Sequence, residues 1–403
     1  MVLGSGFAGY SLLLGLPARG WQRTLITPRN YFLFTPLLPS AVTGVVEFRS
    51  IVEPARRRLA GVSVLEAEAT GIDWPARLVE CRSSLSDETF AVPFDDLVVA
   101  VGTGTADFGV PGVGAHSLPL NTIGDARRIR QRILEQFALA SLPSLAPAEV
   151  RRRLTFVVCG AGPTGVEVAA EIHDLLRREL LRSFGALADQ ARLVLIEAGP
   201  RILRSFDEAL AVYAQRHFQR EHIEVRLETT VRRLEADRVV LGDGSEIPSG
   251  LVVWAAGTAA LPLVRAAFAD VLNDQGRIRV DSFLRVVGRE RVWAAGDCAV
   301  TEPGFPATAQ VAQQQGSYLA RALSRQARGL EVRAFRFRYQ GMLAYIGGGE
   351  ALADLPGLKG SGRGAWLFWR SVYLTKLVSL SNKVKVLFDW AKSMLFGRDL
   401  ARF

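Results

Sequence analysis

Cysteine is scarce: three in 403 residues (Cys81, Cys159, Cys298), an odd number without a C-x-x-C pair. That excludes a disulfide framework and fits a reducing compartment, with each thiol expected as buried packing. The four histidines (His116, His173, His217, His222) form no H-E-x-x-H or Cys/His cluster, so no metal is expected. No apolar run reaches about 18 residues, which excludes a spanning helix and leaves only peripheral membrane contact. A signal peptide is not expected either, because Met1-Val2-Leu3 reads as a strand running directly into a glycine motif. What the chain does have is a core-forming composition, 49% hydrophobic and 22% charged, with 38 glycines spread along it. It also has a lopsided charge: residues 363–403 hold eight Lys or Arg against two Asp, +6 of the net +9. Such a tail suits nucleic acid, an acidic partner or an anionic membrane surface.

Two strand–G-x-G-x-x-G–helix passages organise the rest. Val2-Leu3 leads into Gly4, Gly6 and Gly9, and Leu154–Cys159 leads into Gly160, Gly162 and Gly165. Each continues to a second apolar strand, Thr24-Leu25-Ile26 or Leu193–Ile196, so each is a βαβ unit. The closing strands also repeat, Asp96–Val101 before Gly102-Thr103 and Leu251–Ala256 before Gly257-Thr258. In such a turn the first glycine makes the bend, the second admits a pyrophosphate to the helix N-terminus, and the third lets helix pack on strand. Gly102, Thr103 and Gly257 join the six motif glycines as candidate cofactor-binding residues. Glu197, after the second strand of the second unit, is placed to accept hydrogen bonds from a ribose 2′-hydroxyl and to repel a 2′-phosphate, favouring NADH over NADPH. Thr27 holds the matching place in the first unit and carries no charge. The first strand has only three residues before Gly4, short for a strand, which marks a late or truncated start and puts its pairing in question. Val231–Val240 with Gly242-Asp243-Gly244 reads as a β-hairpin.

With these motifs, the segments Asn30–Ser40, Ala294-Ala295-Gly296-Asp297 and Thr308–Gln314, and the tail's Phe388-Asp389-Trp390 and Phe396-Gly397-Arg398-Asp399, the sequence resembles the type II NADH dehydrogenases. These are single-chain NADH:quinone oxidoreductases among the two-dinucleotide-binding flavoproteins. The resemblance implies an α/β fold of two Rossmann-like dinucleotide-binding domains, the FAD domain discontinuous, with a C-terminal amphipathic membrane-anchoring segment. Its expected parts are 1–108 and 276–350 for FAD, 109–275 for NADH and 351–403 for membrane association. It implies FAD on the first unit with Asp297 near its ribityl or pyrophosphate part, and NADH on the second. It further implies catalytic roles for Gln310 and Gln314 beside flavin and quinone, and for Glu167 near the nicotinamide–flavin meeting point. Glu167 also suits an ordinary first-turn position of its helix, and Gln310 and Gln314, four apart, share one helix face in either reading.

The reaction implied is non-pumping: hydride from NADH to FAD, then two electrons to a membrane quinone. Its place is peripheral, on the cytoplasmic face of the inner (plasma) membrane. Trp366, Trp369, Tyr373, Leu374, Leu377 and Leu380, then Val384, Leu387, Phe388, Ala391 and Leu395, form two apolar stripes interrupted by lysines, as an interfacial helix requires. Helices packing on the protein body or on a second copy in a homodimer give the same pattern. No nucleic-acid motif accompanies the charge. The alternatives are a sulfide:quinone oxidoreductase, which needs paired redox cysteines, and a redox-silent nucleotide-binding scaffold on membranes.

Overall fold

The two glycine passages fold alike. Helices α1 (Phe7–Gly15) and α2 (Pro163–Leu175) each start after a strand that ends in a left-handed glycine, Gly4 or Gly160, both at φ +98°. A computed structural model describes residues 1–401, which divide into two compact units. One comprises residues 1–33, 52–104 and 258–339, and the other 34–51, 105–257 and 340–401. Residues 34–51 and the tail thus cluster with the second glycine motif.

In the first unit, seven strands lie in the order Val292–Ala294, Leu97–Val99, Val2–Leu3, Arg23–Thr27, Val62–Asp73, Leu78–Ser83, Thr89–Pro93. The first five pair in parallel and the last two add antiparallel. The three strands Val292–Ala294, Leu97–Val99 and Val2–Leu3 are wholly buried apolar runs, as burial on both faces requires. The short strand Val2–Leu3 pairs on both sides, and the Gly4 N–H extends it by donating to the Ile26 carbonyl at 2.9 Å. The chain leaves this strand toward one neighbour while the other comes from far downstream. The glycine turn therefore opens where strand order reverses, the usual ligand crevice of such sheets. Helix α3 (Ala309–Gln326) packs on α1 through Gly316, where a Cβ would stand 2.1 Å from the Ala8 carbonyl oxygen.

The second unit has a five-stranded parallel sheet ordered Leu118–Pro119, Leu251–Trp254, Thr155–Cys159, Arg192–Ile196, Glu224–Arg226. Val157, Val194, Val252 and Trp254 fill its core together with Val239 and Leu241. The latter two come from an antiparallel meander, Val231–Leu234, Arg238–Leu241 and Glu246–Pro248; the Gly242–Gly244 turn makes its second bend, so the expected hairpin is a three-stranded sheet. Three further antiparallel strands, Met342–Gly347, Glu350–Leu355 and Leu358–Gly362, precede α4 (Arg363–Lys376) and α5 (Leu380–Phe396).

These two helices are not a free appendage. Trp369 and Trp390 are buried, with ring centroids 6.4 Å apart, and Leu377 and Val386 are buried with them. The Arg370 guanidinium lies over Trp366 and Trp390, at 4.0 and 4.7 Å. Asp389 accepts the Glu47 N–H at 3.0 Å. The first expected stripe is thus corrected in part: Trp369 and Leu377 are buried while Leu380 is exposed, and Leu367 and Phe368 of α4, outside the stripe, are exposed as well. The second stripe is open to solvent, with Val384, Leu387, Phe388 and Leu395 all exposed.

Candidate functional site

Each glycine cradle follows from steric necessity. In the first unit, a Cβ on Gly4 would lie 2.4 Å from the Ala100 carbonyl oxygen, and one on Gly9 only 2.0 Å from that of Gly4. In the second, a Cβ on Gly160 would lie 2.8 Å from the Ala256 nitrogen and one on Gly165 1.8 Å from the Gly160 carbonyl oxygen. The middle glycines differ: nothing lies within 4 Å of a Cβ on Gly6 or Gly162. Both are N-caps without a side-chain cap on their helix. Open space in front of an uncapped helix N-terminus is what a pyrophosphate needs, so both cradles fit a dinucleotide.

The residue after each second strand is tied to its own glycine loop, by different chemistry. The Glu197 carboxylate accepts from the Ala161 N–H and the Gly199 N–H, each at 2.8 Å, which fixes it at the loop with lone pairs left for a ribose. Thr27 instead lies 2.9 Å, hydroxyl to hydroxyl, from Ser5 and is buried. In the first unit a hydroxyl pair, Ser5 of the loop and Thr27 at the end of the second strand, thus makes the tie that one carboxylate makes in the second.

Beyond the cradles, Gly102 (φ +70°) and Gly257 (φ +64°) both take left-handed turns after their closing strands. A Cβ on Gly257 would strike the Phe108 ring at 2.2 Å, whereas Gly102 has open space. Thr103 follows, half-buried. Asp297 sits after strand Val292–Ala294; burial pushes its carboxyl up, opposed by the Arg277 charge. Its loop is pinned by Gln315, a residue the sequence reading passed over, whose Oε1 accepts the Gly296 N–H at 2.7 Å. Gln310 is half-buried in the first turn of α3. Gln314, one turn on, exchanges two hydrogen bonds of 2.9 Å with the Arg338 backbone, so its amide serves at least to hold that segment.

Helix α2 carries a row of buried acids, Glu167, Glu171 and Asp174, all within the second unit. Glu167 accepts the Tyr345 N–H at 3.1 Å, and burial pushes its carboxyl up to about 8. Glu171 receives the hydroxyls of Ser40 and Thr43 at 2.7 and 2.8 Å. Burial still pushes it up, against the pull of Arg398. Asp174 accepts the Tyr345 hydroxyl and, at 3.1 Å, the Gly348 N–H. Asp174 and Arg398 were missed as site residues, although the i, i+4, i+7 spacing puts all three acids on one helix face. The cysteines are buried, with burial raising Cys81 and Cys298 to about 11 and Cys159 to about 12. They are protonated thiols rather than the thiolates that sulfur redox chemistry needs.

Residues 1–316 match the pyridine nucleotide-disulphide oxidoreductase family, and residues 339–399 the NDH2 C-terminal domain. The chain is 38% identical to a probable NADH dehydrogenase of Dictyostelium discoideum, over 100% of its own length and 91% of the relative's. It is 36% identical to an external alternative NADH-ubiquinone oxidoreductase, mitochondrial, of Yarrowia lipolytica, covering 100% and 80% of the two chains. The fold superposes on NDH2 of Plasmodium falciparum, solved in complex with NADH, with a TM-score of 0.95 at 24% identity and 99% coverage of each chain. With two dinucleotide cradles, inert thiols and a C-terminal domain of this type, the chain belongs to the type II NADH dehydrogenases of the pyridine nucleotide-disulphide oxidoreductase family.

Proposed function

We propose that the protein is an FAD-dependent, non-pumping NADH:quinone oxidoreductase, with FAD on the first cradle and NADH on the second. The observation that carries this is the duplicated cradle, with the Glu197 carboxylate tied to the glycine loop of the second unit. When bound, FAD supplies the two-electron chemistry that links NADH oxidation to quinone reduction. The chain's own residues supply position and protons. The motif glycines admit pyrophosphates to the N-termini of α1 and α2, and Gly102, Thr103 and Gly257 line the turns after the closing strands. Asp297, held by the Gln315-pinned loop, takes a hydroxyl-bearing part of FAD. Gln310 offers an amide to a carbonyl without adding charge. We read Gln314 as sharing that face while bracing the Arg338 segment. Glu167, neutral below about pH 8, can donate a proton to reduced quinone.

Glu197 selects NADH. Glu197→Gln is expected to narrow the preference for NADH over NADPH about tenfold, the worth of one charge-assisted hydrogen bond, in steady-state comparison of the two nucleotides. An unchanged ratio would remove Glu197 from the ribose site.

The exposed faces of α4 and α5 support docking on a lipid surface, where the quinone resides. Leu367, Phe368, Leu387, Phe388 and Leu395 are exposed beside the cations Lys383 and Lys385. No helix among the described residues is long and apolar enough to cross a membrane. A second copy would cover the same apolar face, and it is the lysines flanking that face that favour anionic lipid. We place the protein on the membrane face that meets NADH, the cytoplasmic face of an inner membrane. The test is spectroscopic: the purified protein should show flavin absorption that NADH bleaches and sulfide does not. Bleaching by sulfide would favour the sulfide:quinone alternative, and absence of flavin from folded protein would favour the scaffold.

A further inference from the structure

Among the described residues the acid row of α2 has one buried guanidinium against it, and it comes from the far end of the chain. The Arg398 side chain is only 6% exposed. Its Nη1 lies 3.5 Å from a Glu171 oxygen and 3.3 Å from the Glu171 carbonyl oxygen, and its Nη2 lies 3.9 Å from Asp174. Three carboxyls at i, i+4 and i+7 with one buried guanidinium cannot all be ionised, because each like charge in a desolvated site disfavours the next.

The surroundings rank the three. Asp174 has the Tyr345 hydroxyl, the Gly348 N–H and, at 3.9 Å, the half-exposed Arg178. Glu171 has Ser40, Thr43 and Arg398, with Arg370 and Tyr345 at longer range. Glu167 faces the Tyr345 N–H from strand Met342–Gly347, Trp369 and Tyr373 from α4 and Glu171 on its own helix, with no cation among them. The proton that the row must retain therefore settles on Glu167.

We propose that Arg398 is a positioning residue for quinone reduction: by holding Glu171 ionised, it keeps the row's shared proton on Glu167, where it can be donated. The inference rests on reading Glu167 as the proton donor. Removing the cation makes Glu171 protonate, which takes a negative charge away from Glu167 and so lowers, not raises, the pH at which Glu167 deprotonates.

The test titrates the carbonyl stretch of protonated carboxyl groups by infrared spectroscopy, in the full-length flavoprotein, alongside the pH profile of reoxidation by a short-chain quinone. Glu167→Gln should delete the band that titrates near pH 8. If it deletes none, the reading of Glu167 fails, and with it the role of Arg398. Given that deletion, Arg398→Gln should move both the band and the alkaline limb of the profile toward acid by about one pH unit, the scale of one like-charge contact. Arg398→Lys should leave both within a few tenths of a unit. Glu171→Gln, which keeps Arg398, should reproduce the acid shift and stands in if Arg398→Gln does not fold. A shift toward alkali in Arg398→Gln, or no shift in it and in Glu171→Gln, overturns the proposal while leaving Glu167 as donor.

Discussion

Alanine at Gly165 is expected to abolish NADH-dependent bleaching while the protein keeps its flavin. The added Cβ would stand 1.8 Å from the Gly160 carbonyl oxygen, a backbone atom that cannot step aside. Helix α2 must move off strand Thr155–Cys159 instead. Overpacking of this kind costs roughly 1–3 kcal/mol in ordinary cores, and here it also tilts the helix N-terminus that receives the pyrophosphate, so NADH affinity should fall about 100-fold or more. The flavin should be spared, since its cradle belongs to the other unit, with its own sheet. Gly162→Ala is the control that separates packing from binding. Its Cβ meets nothing within 4 Å, so thermal stability should be unchanged. The methyl group still occupies the pyrophosphate's approach, so the KM for NADH should rise about tenfold. Stopped-flow bleaching and thermal melts of the two variants read both effects. Normal NADH bleaching by Gly165→Ala would mean that this turn is not the nucleotide site.

The second large effect is expected at the membrane. Substituting Leu387, Phe388 and Leu395 by glutamate should shed the protein from anionic liposomes without loss of flavin or fold. These side chains are 49%, 68% and 77% exposed, so no core contact is at stake. Burying each apolar side chain is worth about 1.5–3 kcal/mol, and even partial insertion of three makes a loss of about 1000-fold in vesicle affinity the expected scale. The new carboxylates add repulsion from anionic lipid. Point charges are the better probe than removal of residues 364–403. That deletion would strip Trp369, Leu377, Val386 and Trp390 from the core of the second unit, and Arg398 from its acid row. Co-sedimentation at fixed ionic strength gives the answer. Undiminished binding of the triple variant would assign this face to a protein partner instead.

The cradles could be read from the amino acids because their chemistry is backbone chemistry. A glycine needed at φ +98° or beside a carbonyl oxygen tolerates no substitute, so the requirement is written as the residue itself. The position of Glu197 could be read for a similar reason, standing a fixed step beyond its strand. Interactions that join distant segments left no such mark. Nothing local in Gly397-Arg398-Asp399 says that its guanidinium reaches a helix more than 200 residues earlier, and Ser5 with Thr27 replaces a charge by two ordinary hydroxyls. Helical spacing showed that α4 has an apolar stripe but not which way the stripe turns. Trp369 went inward because aromatic neighbours Tyr345 and Trp390 were there to receive it, which only the tertiary fold decides. Gln315 was passed over beside Gln314 for a similar reason, since its work is to hold the loop that carries Asp297.

Passage of electrons within one chain from NADH through bound flavin to a quinone is decided by a two-step anaerobic titration. One equivalent of NADH per flavin should bleach the flavin absorption completely, with NADPH much less effective. One equivalent of a short-chain ubiquinone analogue should then restore the absorption. Bleaching that quinone cannot reverse, or reversal without prior need for NADH, would contradict the account.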